Sequence, residues 1–248
     1  MVAVLRTYNE DFVGCERHAL DVTSPYAVRS VLDEVRPNVV VHCATANADG
    51  AGLVAMWCRS ASARLIYLSC VDVFDGETDV PYDEDAPTTY GEVKAAAERA
   101  VVASGAEAYV VRTSWIYGAV GDNEVKALVR LARANDEPVL VDDDAIGTPT
   151  WSLHLARALV GLGISDAAPG IYHCANDGEA TRYVFARAVF AELGLDPARI
   201  EPTSGTVPPT YSVLDTAKWR AAGLPQMAHW RDALHEAFVA VGEEFVDS

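Results

Sequence analysis

The chain has 248 residues, half of them hydrophobic, and carries a formal net charge of −17 at pH 7. This length is sufficient for one sizeable hydrophobic core, and the acidic balance argues against nucleic acid or a membrane surface as a partner, because both would repel it. No apolar run approaches the roughly 18 residues of a transmembrane helix and no signal peptide is recognisable, so we expect a cytoplasmic protein.

The first part of the chain alternates apolar strands with amphipathic helices. Strands are predicted at residues 2–5 and 38–44, where the second run is continuously apolar, as in a parallel sheet covered on both faces. Ser24 and Pro25 are typical of a helix start, with serine as the cap and proline in the first turn. Further elements are predicted as a helix over 47–59, a strand over 65–68, a helix from 90 to about 103 and a strand over 109–112.

The same alternation continues to the end of the chain. Helices are predicted over 123–134, 151–162, 180–193, and near 216–222 and 230–241, with strands over 139–141 and 171–174. Residues 201–210 are rich in proline and threonine and are interpreted as a connection. Because strand and helix alternate throughout, we predict an α/β fold with a doubly wound parallel sheet.

Tyr90 and Lys94 are the most informative pair in the sequence. They stand four residues apart, so on a helix they share a face. A lysine ammonium near a phenol stabilises the phenolate, which lowers the pKa of the tyrosine from roughly 10. Tyr90 is therefore a candidate general acid or base. The spacing alone also fits a surface pair on an amphipathic helix, so the assignment depends on the surrounding sequence.

The surrounding motifs occur in a specific order. The strand that ends at Ser69 and Cys70 is followed by Val-Phe-Asp-Gly at 73–76, Tyr-Gly-Glu-Val-Lys at 90–94 and Arg-Thr-Ser-Trp-Ile-Tyr-Gly at 112–118. This order resembles the extended short-chain dehydrogenase/reductase superfamily, and within it the dTDP-4-dehydrorhamnose reductase branch. The resemblance implies a Rossmann-like cofactor-binding part at residues 1–145 and a small C-terminal substrate-binding lobe at 146–248, together forming a single compact unit.

The resemblance also implies roles for individual side chains. Tyr90 and Lys94 are implied to be catalytic, while Cys70 or Ser69 holds the substrate carbonyl. The residues implied to bind NADP, with NAD as the alternative, are Arg6, Asp21, Val22, Cys43, Ala44, Tyr90, Lys94 and Thr113. The residues implied to contact the substrate are Asp72, Phe74, Ser114, Trp115, Thr148 and Thr150. The expected partner is a small-molecule sugar nucleotide, and the family leaves a homodimer open.

Three features depart from the family pattern. Cys70 stands where the superfamily usually carries serine or threonine, and a thiol is a weaker hydrogen-bond donor than a hydroxyl. The arginine expected ahead of the stretch 211–215 is replaced in the Val-Pro-Pro run at 207–209. The glycine-rich strand-turn-helix that opens a dinucleotide-binding fold has no counterpart, since Gly14 is the only glycine among the first forty residues. Either the gene start lies further upstream, or this is a trimmed relative that binds nucleotide poorly or not at all.

Several of these residues also have a plain structural interpretation. Arg6 fits a solvated surface position, and Asp21 fits a loop turn ahead of the Ser24 cap. His42 is interpreted as a core histidine, and the three aspartates at 142–144 as a solvated acidic turn, so no metal site is predicted. The five cysteines lack CxxC spacing and are expected to be reduced thiols. The acidic, lysine-poor composition resembles that of halophile proteins, which we state as a hypothesis about the host.

Three functions are compatible with these patterns. The first is an oxidoreductase, namely an NADP-dependent reductase of a 4-keto sugar nucleotide as in dTDP-rhamnose biosynthesis, with Tyr90 as the proton donor. The second is a non-catalytic binding or regulatory subunit, similar to the regulatory subunit of methionine adenosyltransferase. The absent glycine loop, Cys70 and the lost arginine all favour it. The third is an NAD-dependent sugar epimerase or dehydratase, which would keep its cofactor bound.

Overall fold

The structure is a computed structural model, and it describes residues 2–5, 15–44, 48–86, 92–135, 137–205 and 211–246. The chain divides into two compact units. The first unit comprises residues 1–69, 89–111 and 168–171, and the second comprises 70–88, 112–167 and 172–248. The predicted division of roles at residues 145 and 146 stays a prediction.

The predicted helices and strands occur in the predicted order, but the structure adds short strands that the sequence does not predict, so strand and helix do not alternate throughout. The strands are β1 (Val2–Leu5), β2 (Glu16–Ala19), β3 (Val39–His42), β4 (Arg64–Cys70), β5 (Ala108–Thr113), β6 (Ile116–Tyr117), β7 (Val139–Asp142), β8 (Ile146–Gly147), β9 (Thr150–Trp151), β10 (Gly170–His173), β11 (Ala180–Thr181), β12 (Ile200–Thr203) and β13 (Tyr211–Ser212). The helices are α1 (Pro25–Val35), α2 (Ala48–Ala61), α3 (Glu92–Ala103), α4 (Glu124–Ala134), α5 (Ser152–Gly163), α6 (Arg182–Glu192), α7 (Ala217–Ala221) and α8 (Trp230–Val246).

The predicted start of α1 is confirmed. The hydroxyl of Ser24 accepts a hydrogen bond from the backbone N–H of Ala27 at 3.3 Å, and proline occupies the first turn. The helix buries Val28 and Leu32 and ends at Arg36 in a left-handed conformation, whose N–H bonds back to the carbonyl of Leu32. A local capping signal thus places this helix ahead of β3.

The core of the first unit forms around two fully covered strands. All six residues of β5 are buried, and Leu65 and Tyr67 of β4 are fully buried beside it. Helices α2 and α3 pack on each other, and Val54 and Val101 are among the side chains that they bury. The sheet order is β10-β5-β4-β3, and β3 pairs in parallel with β4. These features confirm the Rossmann-like α/β class.

Strand β3 differs from the sequence-based expectation. It lies at an edge of the four-stranded sheet, with Val41 43% exposed, whereas its apolar sequence predicts burial on both faces. Strands β1 and β2 form a separate parallel pair. A cavity of about 520 Å³ lies along β3, lined by Leu20, Val22, Leu32, Val35, Pro37, Val39, Val40, Val41, His42, Cys43, Ala44 and Val54.

The second unit is built from short strand pairs packed on helices. β6 pairs with β9, β7 with β12, and β8 with both β11 and β13. Aromatic side chains of α6 and α8, including Phe185, Phe190 and Trp230, form its core with Val129 of α4. Strand β12 corrects the interpretation of residues 201–210, since residues 200–203 pair with β7 instead of forming a connection.

Three negative findings apply to the described part of the chain. No helix there combines the length and the hydropathy needed to cross a bilayer. No group of three or more histidine, cysteine, aspartate or glutamate side chains there is arranged to hold a metal ion. All five cysteines are free thiols.

Candidate functional site

A positively charged side chain lies near the carboxyl end of β3. Lys94, half-buried on α3, is close enough to interact electrostatically with His42 and Cys43. Burial, followed by the charge of Lys94, lowers the pKa of His42 to about 4, so this imidazole is neutral at pH 7. The His42 Nε2 atom is buried and has no hydrogen-bond partner among the described residues. The structure thus places Lys94 near Cys43, while contact of either residue with a cofactor stays a prediction.

The other residues predicted to bind the cofactor in the first unit differ in their surroundings. Val22, Cys43 and Ala44 all line the cavity along β3. Asp21 is exposed, and its carboxylate accepts hydrogen bonds from the backbone N–H and the hydroxyl of Thr23 at 2.9 and 2.7 Å. These hydrogen bonds form a turn ahead of the Ser24 cap, which is the structural role that the sequence offers for Asp21. Contact of Asp21 with a cofactor stays a prediction.

The two residues that end β4 have different hydrogen-bonding roles. The Cys70 thiol donates to Oδ2 of Asp72 at 3.3 Å, which gives both of these predicted site residues a local structural role. The Ser69 hydroxyl is buried, and its Oγ has no partner among the described residues. Since a hydroxyl is a better donor than a thiol, Ser69 is the stronger candidate to hold a substrate oxygen.

Two predicted residues fall outside the described part of the chain. Tyr90 lies in the undescribed range 87–91, and Arg6 lies in the undescribed range 6–14. The run at 207–209, where the family arginine is replaced, also lies outside the described residues. The catalytic role of Tyr90 and the cofactor role of Arg6 therefore stay predictions.

A buried polar cluster follows β5 in the second unit. The Ser114 hydroxyl donates to the carbonyl of Ser212 at 3.2 Å and accepts from the N–H of Thr148 at 3.4 Å. The Thr148 hydroxyl donates to the carbonyl of Gly178, and the Thr150 hydroxyl donates to the carbonyl of Thr148. The structure therefore brings these predicted substrate residues together, with their hydroxyl protons directed to backbone carbonyls. Thr113 differs, because its buried Oγ1 has no partner among the described residues.

Trp115 is the member of this cluster with an accessible surface. It is half-buried and has a φ of 36°, a left-handed conformation that few non-glycine residues adopt. The N–H of Thr150 donates to its carbonyl at 3.0 Å. A Cβ atom at Gly147 would lie 2.3 Å from Cε2 of the indole, so only glycine allows this approach. Strained conformations held by their surroundings cluster at functional sites.

Arg112 is the centre of a buried group that the sequence does not reveal. Its guanidinium lies 5.0 Å from the ring centre of Phe74 and donates to the carbonyl of Glu84 at 3.3 Å. Phe74, a predicted substrate residue, is buried and stacks on Tyr82 with ring centres 4.0 Å apart. The structure thus gives Phe74 a packing role. Arg112 also lies 3.5 Å from Nε2 of His173.

His173 links this group to other segments of the second unit. Its Nδ1 lies 3.2 Å from the carbonyl oxygen of Asp215, and its backbone N–H donates to the carboxylate of Glu84 at 3.1 Å. Burial, followed by the nearby charge of Arg112, lowers the pKa of His173 to about 3. Burial also raises the pKa of Glu84, which the charge of Lys218 opposes. At neutral pH the imidazole is therefore neutral and can donate from Nδ1 and accept at Nε2.

The lowered pKa of His173 predicts that the stability of the protein depends on pH. Because the folded pKa of His173 lies below its ordinary value of 6.5, the unfolded chain binds more protons, and stability is lost as the pH falls below 6.5. Between pH 7 and pH 5 the loss from this group is about 2 kcal/mol. In His173→Asn the amide donates to Asp215 without titrating, so the difference in unfolding free energy between the two pH values should shrink by that amount.

Urea unfolding at pH 7 and pH 5 measures this difference. The matched control is His229→Asn, which removes an exposed imidazole. The control should retain the wild-type difference between the two pH values. An equal difference in wild type and His173→Asn would contradict the assignment of this loss to His173.

The comparisons with known proteins identify the family of the chain. The family described as RmlD substrate binding domain matches residues 1–242. A dTDP-4-keto-6-deoxy-D-glucose reductase of Streptomyces niveus is 40% identical over 265 residues, covering 96% of this chain and 91% of the relative. A dTDP-4-dehydrorhamnose reductase of Streptomyces griseus is 43% identical over 256 residues, covering 91% of this chain and 84% of the relative.

Solved structures show the same similarity. The crystal structure of a dTDP-4-dehydrorhamnose reductase from Bacillus anthracis, in complex with NADP, has a TM-score of 0.85 and 29% identity, and the match covers 92% of this chain and 90% of that chain. The enzyme WbmH of Bordetella bronchiseptica, in complex with NAD+, has a TM-score of 0.83 at 18% identity, which shows a common fold alone.

The fold, the order of motifs and these matches define the class of the protein. It is an extended short-chain dehydrogenase/reductase of the sugar-nucleotide type, which confirms the resemblance seen in the sequence. Within this class, the chain belongs to the RmlD substrate binding domain family.

Proposed function

We propose that the protein is an NADPH-dependent reductase of a dTDP-linked 4-keto-6-deoxy sugar. The named reductases that match more than nine tenths of the chain support this substrate class. The structural observation that carries the proposal is the cation of Lys94 near the carboxyl end of β3, the sheet edge at which Rossmann folds bind their ligands. The buried Ser69 hydroxyl ends the neighbouring strand β4 of the same sheet.

The described residues fit a dinucleotide. The cavity along β3 is apolar at Val22 and Ala44, which suits an aromatic base, and Lys94 supplies a positive charge near its His42 end. Buried hydroxyls usually have hydrogen-bond partners, so Ser69 Oγ is expected to find one in a bound ligand. When bound, NADPH supplies the hydride that reduces the carbonyl carbon.

The side chains of the chain itself would hold the carbonyl oxygen and deliver a proton to it. Ser69 would donate a hydrogen bond to that oxygen, while the Cys70 thiol keeps its hydrogen bond to Asp72. Tyr90 would protonate the alkoxide, and Lys94 would lower the tyrosine pKa by favouring the phenolate. This division of roles follows the family resemblance. It is supported by the buried Ser69 hydroxyl, which has no partner among the described residues, and by the hydrogen bond from Cys70 to Asp72.

Turnover of NADPH with a dTDP-4-keto-6-deoxy sugar tests the proposal. We expect NADPH oxidation that depends on the sugar nucleotide, with formation of the dTDP-6-deoxy sugar seen by chromatography. Absence of turnover, together with no dinucleotide affinity by calorimetry, would contradict it and favour the non-catalytic binding subunit. NAD retained through purification would instead favour an epimerase or dehydratase.

Two further properties belong to this proposal. A cytoplasmic location fits the free thiols, because disulfides are rare in that reducing compartment. A homodimer is proposed from the family resemblance alone. Size-exclusion chromatography with light scattering tests the dimer, and a monomer mass at micromolar concentration would contradict it.

A further inference from the structure

Arg182 holds the indole of Trp115 from the side of α6. Its guanidinium carbon lies 4.7 Å from the centre of the indole ring, a distance at which a cation is attracted to the ring face. Arg182 is the first residue of α6, and its backbone N–H donates to the carbonyl of Ala145 at 3.3 Å. The arginine backbone is therefore tied to the segment that leads directly into β8.

Glu124 fixes the guanidinium in this place. The Nη1 atom of Arg182 lies 2.6 Å from Oε2 of Glu124, the first residue of α4. Both side chains are partly covered, at 41% and 26% exposure, so solvent screens this pair less than it screens a fully exposed one. An arginine held by a carboxylate loses little further entropy when it stacks on a ring, because its planar group is already oriented.

The indole is confined from a second direction by Gly147. A Cβ atom there would lie 2.7 Å from Cζ2 of the ring, so the backbone of β8 touches the indole directly. Trp115 also has the left-handed backbone described above, which its own side chain does not favour. The side chain is thus held by contacts on α6 and β8 instead of by its own conformational preference.

We propose that Arg182, held by Glu124, is a positioning residue that fixes the indole of Trp115 as a rigid apolar wall for the sugar ring of the substrate. This inference rests on the proposed function and deepens it, because it names what orients a predicted substrate contact. A 6-deoxy sugar has an apolar edge at its methyl group, and such an edge binds best to an indole that is already in place.

Arg182→Gln tests the inference, with Arg187→Gln as the matched control. Arg187 lies on the same helix, is exposed, and places its guanidinium 5.5 Å from the ring centre of Tyr183. We expect kcat/KM for the dTDP-4-keto-6-deoxy sugar to fall about 10-fold in Arg182→Gln, through a higher KM, and to stay at the wild-type value in the control. Arg182→Lys should recover part of the loss, since it keeps the charge without the planar group.

A spectroscopic measurement separates this inference from the proposed function. Acrylamide quenching of Trp115, taken as the difference between each protein and its Trp115→Phe version, should increase in Arg182→Gln and not in Arg187→Gln. Equal quenching and equal KM in the two variants would overturn the inference. If the wild type shows no turnover, the proposed function fails and the substrate role fails with it, while the quenching result still decides whether Arg182 holds the indole.

Discussion

Tyr90→Phe is expected to lower kcat by about 10²–10⁴-fold, because a general acid in the transition state contributes that much. Phenylalanine retains the ring and removes only the hydroxyl that would protonate the alkoxide. KM for the sugar nucleotide should change little, since the phenol acts on charge that develops during the reaction. Steady-state NADPH oxidation with a dTDP-4-keto-6-deoxy sugar measures both parameters.

Tyr26→Phe is the matched control for this substitution. Tyr26 is 83% exposed on α1, so the same loss of a hydroxyl there should leave kcat unchanged. Equal rates for wild type and Tyr90→Phe would remove Tyr90 from the mechanism while leaving the family assignment intact. The chain would then need another proton donor, and the buried Ser69 hydroxyl would be the first to test.

Helix starts were predictable because their signals are local. Ser24 and Asn123 each accept a hydrogen bond from the backbone N–H three residues later, at 3.3 Å in both cases. A capping side chain and the N–H that it satisfies are close in sequence, so the pattern is visible without knowledge of the fold. α1 begins directly after Ser24, the cap that the sequence predicts, and α4 begins one residue after the predicted start at Asn123.

Among the strands that the sequence does not predict, β2 and β12 depend on pairing that is not local. β2 has the sequence Glu-Arg-His-Ala, which has no apolar run, and it becomes a strand by pairing in parallel with β1. β12 contains Pro202, which argues against a strand in the sequence, yet it pairs with β7 alone and so needs only one hydrogen-bonding edge. Parallel partners are separated by long crossovers, so no short window of sequence reveals them.

In the predicted site, too, short motifs could be recognised in the sequence, whereas contacts between distant residues could not. The motifs at 112–118 and 148–150 were recognised from the family resemblance, and the structure joins them through the hydrogen bonds of Ser114. The partners of Arg112 were not predicted. Glu84 lies 28 residues away and His173 lies 61 residues away, and neither stands in a motif. Only the fold brings these groups together.

Arg112→Met is expected to lower the free energy of unfolding by about 3 kcal/mol. Methionine has a similar length, so the substitution removes the charge and its contacts without opening a large cavity. The lost interactions are the charged hydrogen bond to the carbonyl of Glu84 and the cation contact with the ring of Phe74, both in a buried setting. Urea unfolding followed by circular dichroism at pH 7 measures the change.

Arg130→Met is the control that shows how much stability is lost when an arginine outside this buried group is replaced. Arg130 lies in the same unit and pairs with Asp122 at 2.7 Å, but its side chain is 49% exposed, so its loss should cost about 0.2–1 kcal/mol. An equal cost at the two positions would show that burial does not strengthen the contacts of Arg112. A larger cost at Arg112 would mean that the segment from Phe74 to Glu84, which leads toward Tyr90, depends on a buried cation for its conformation.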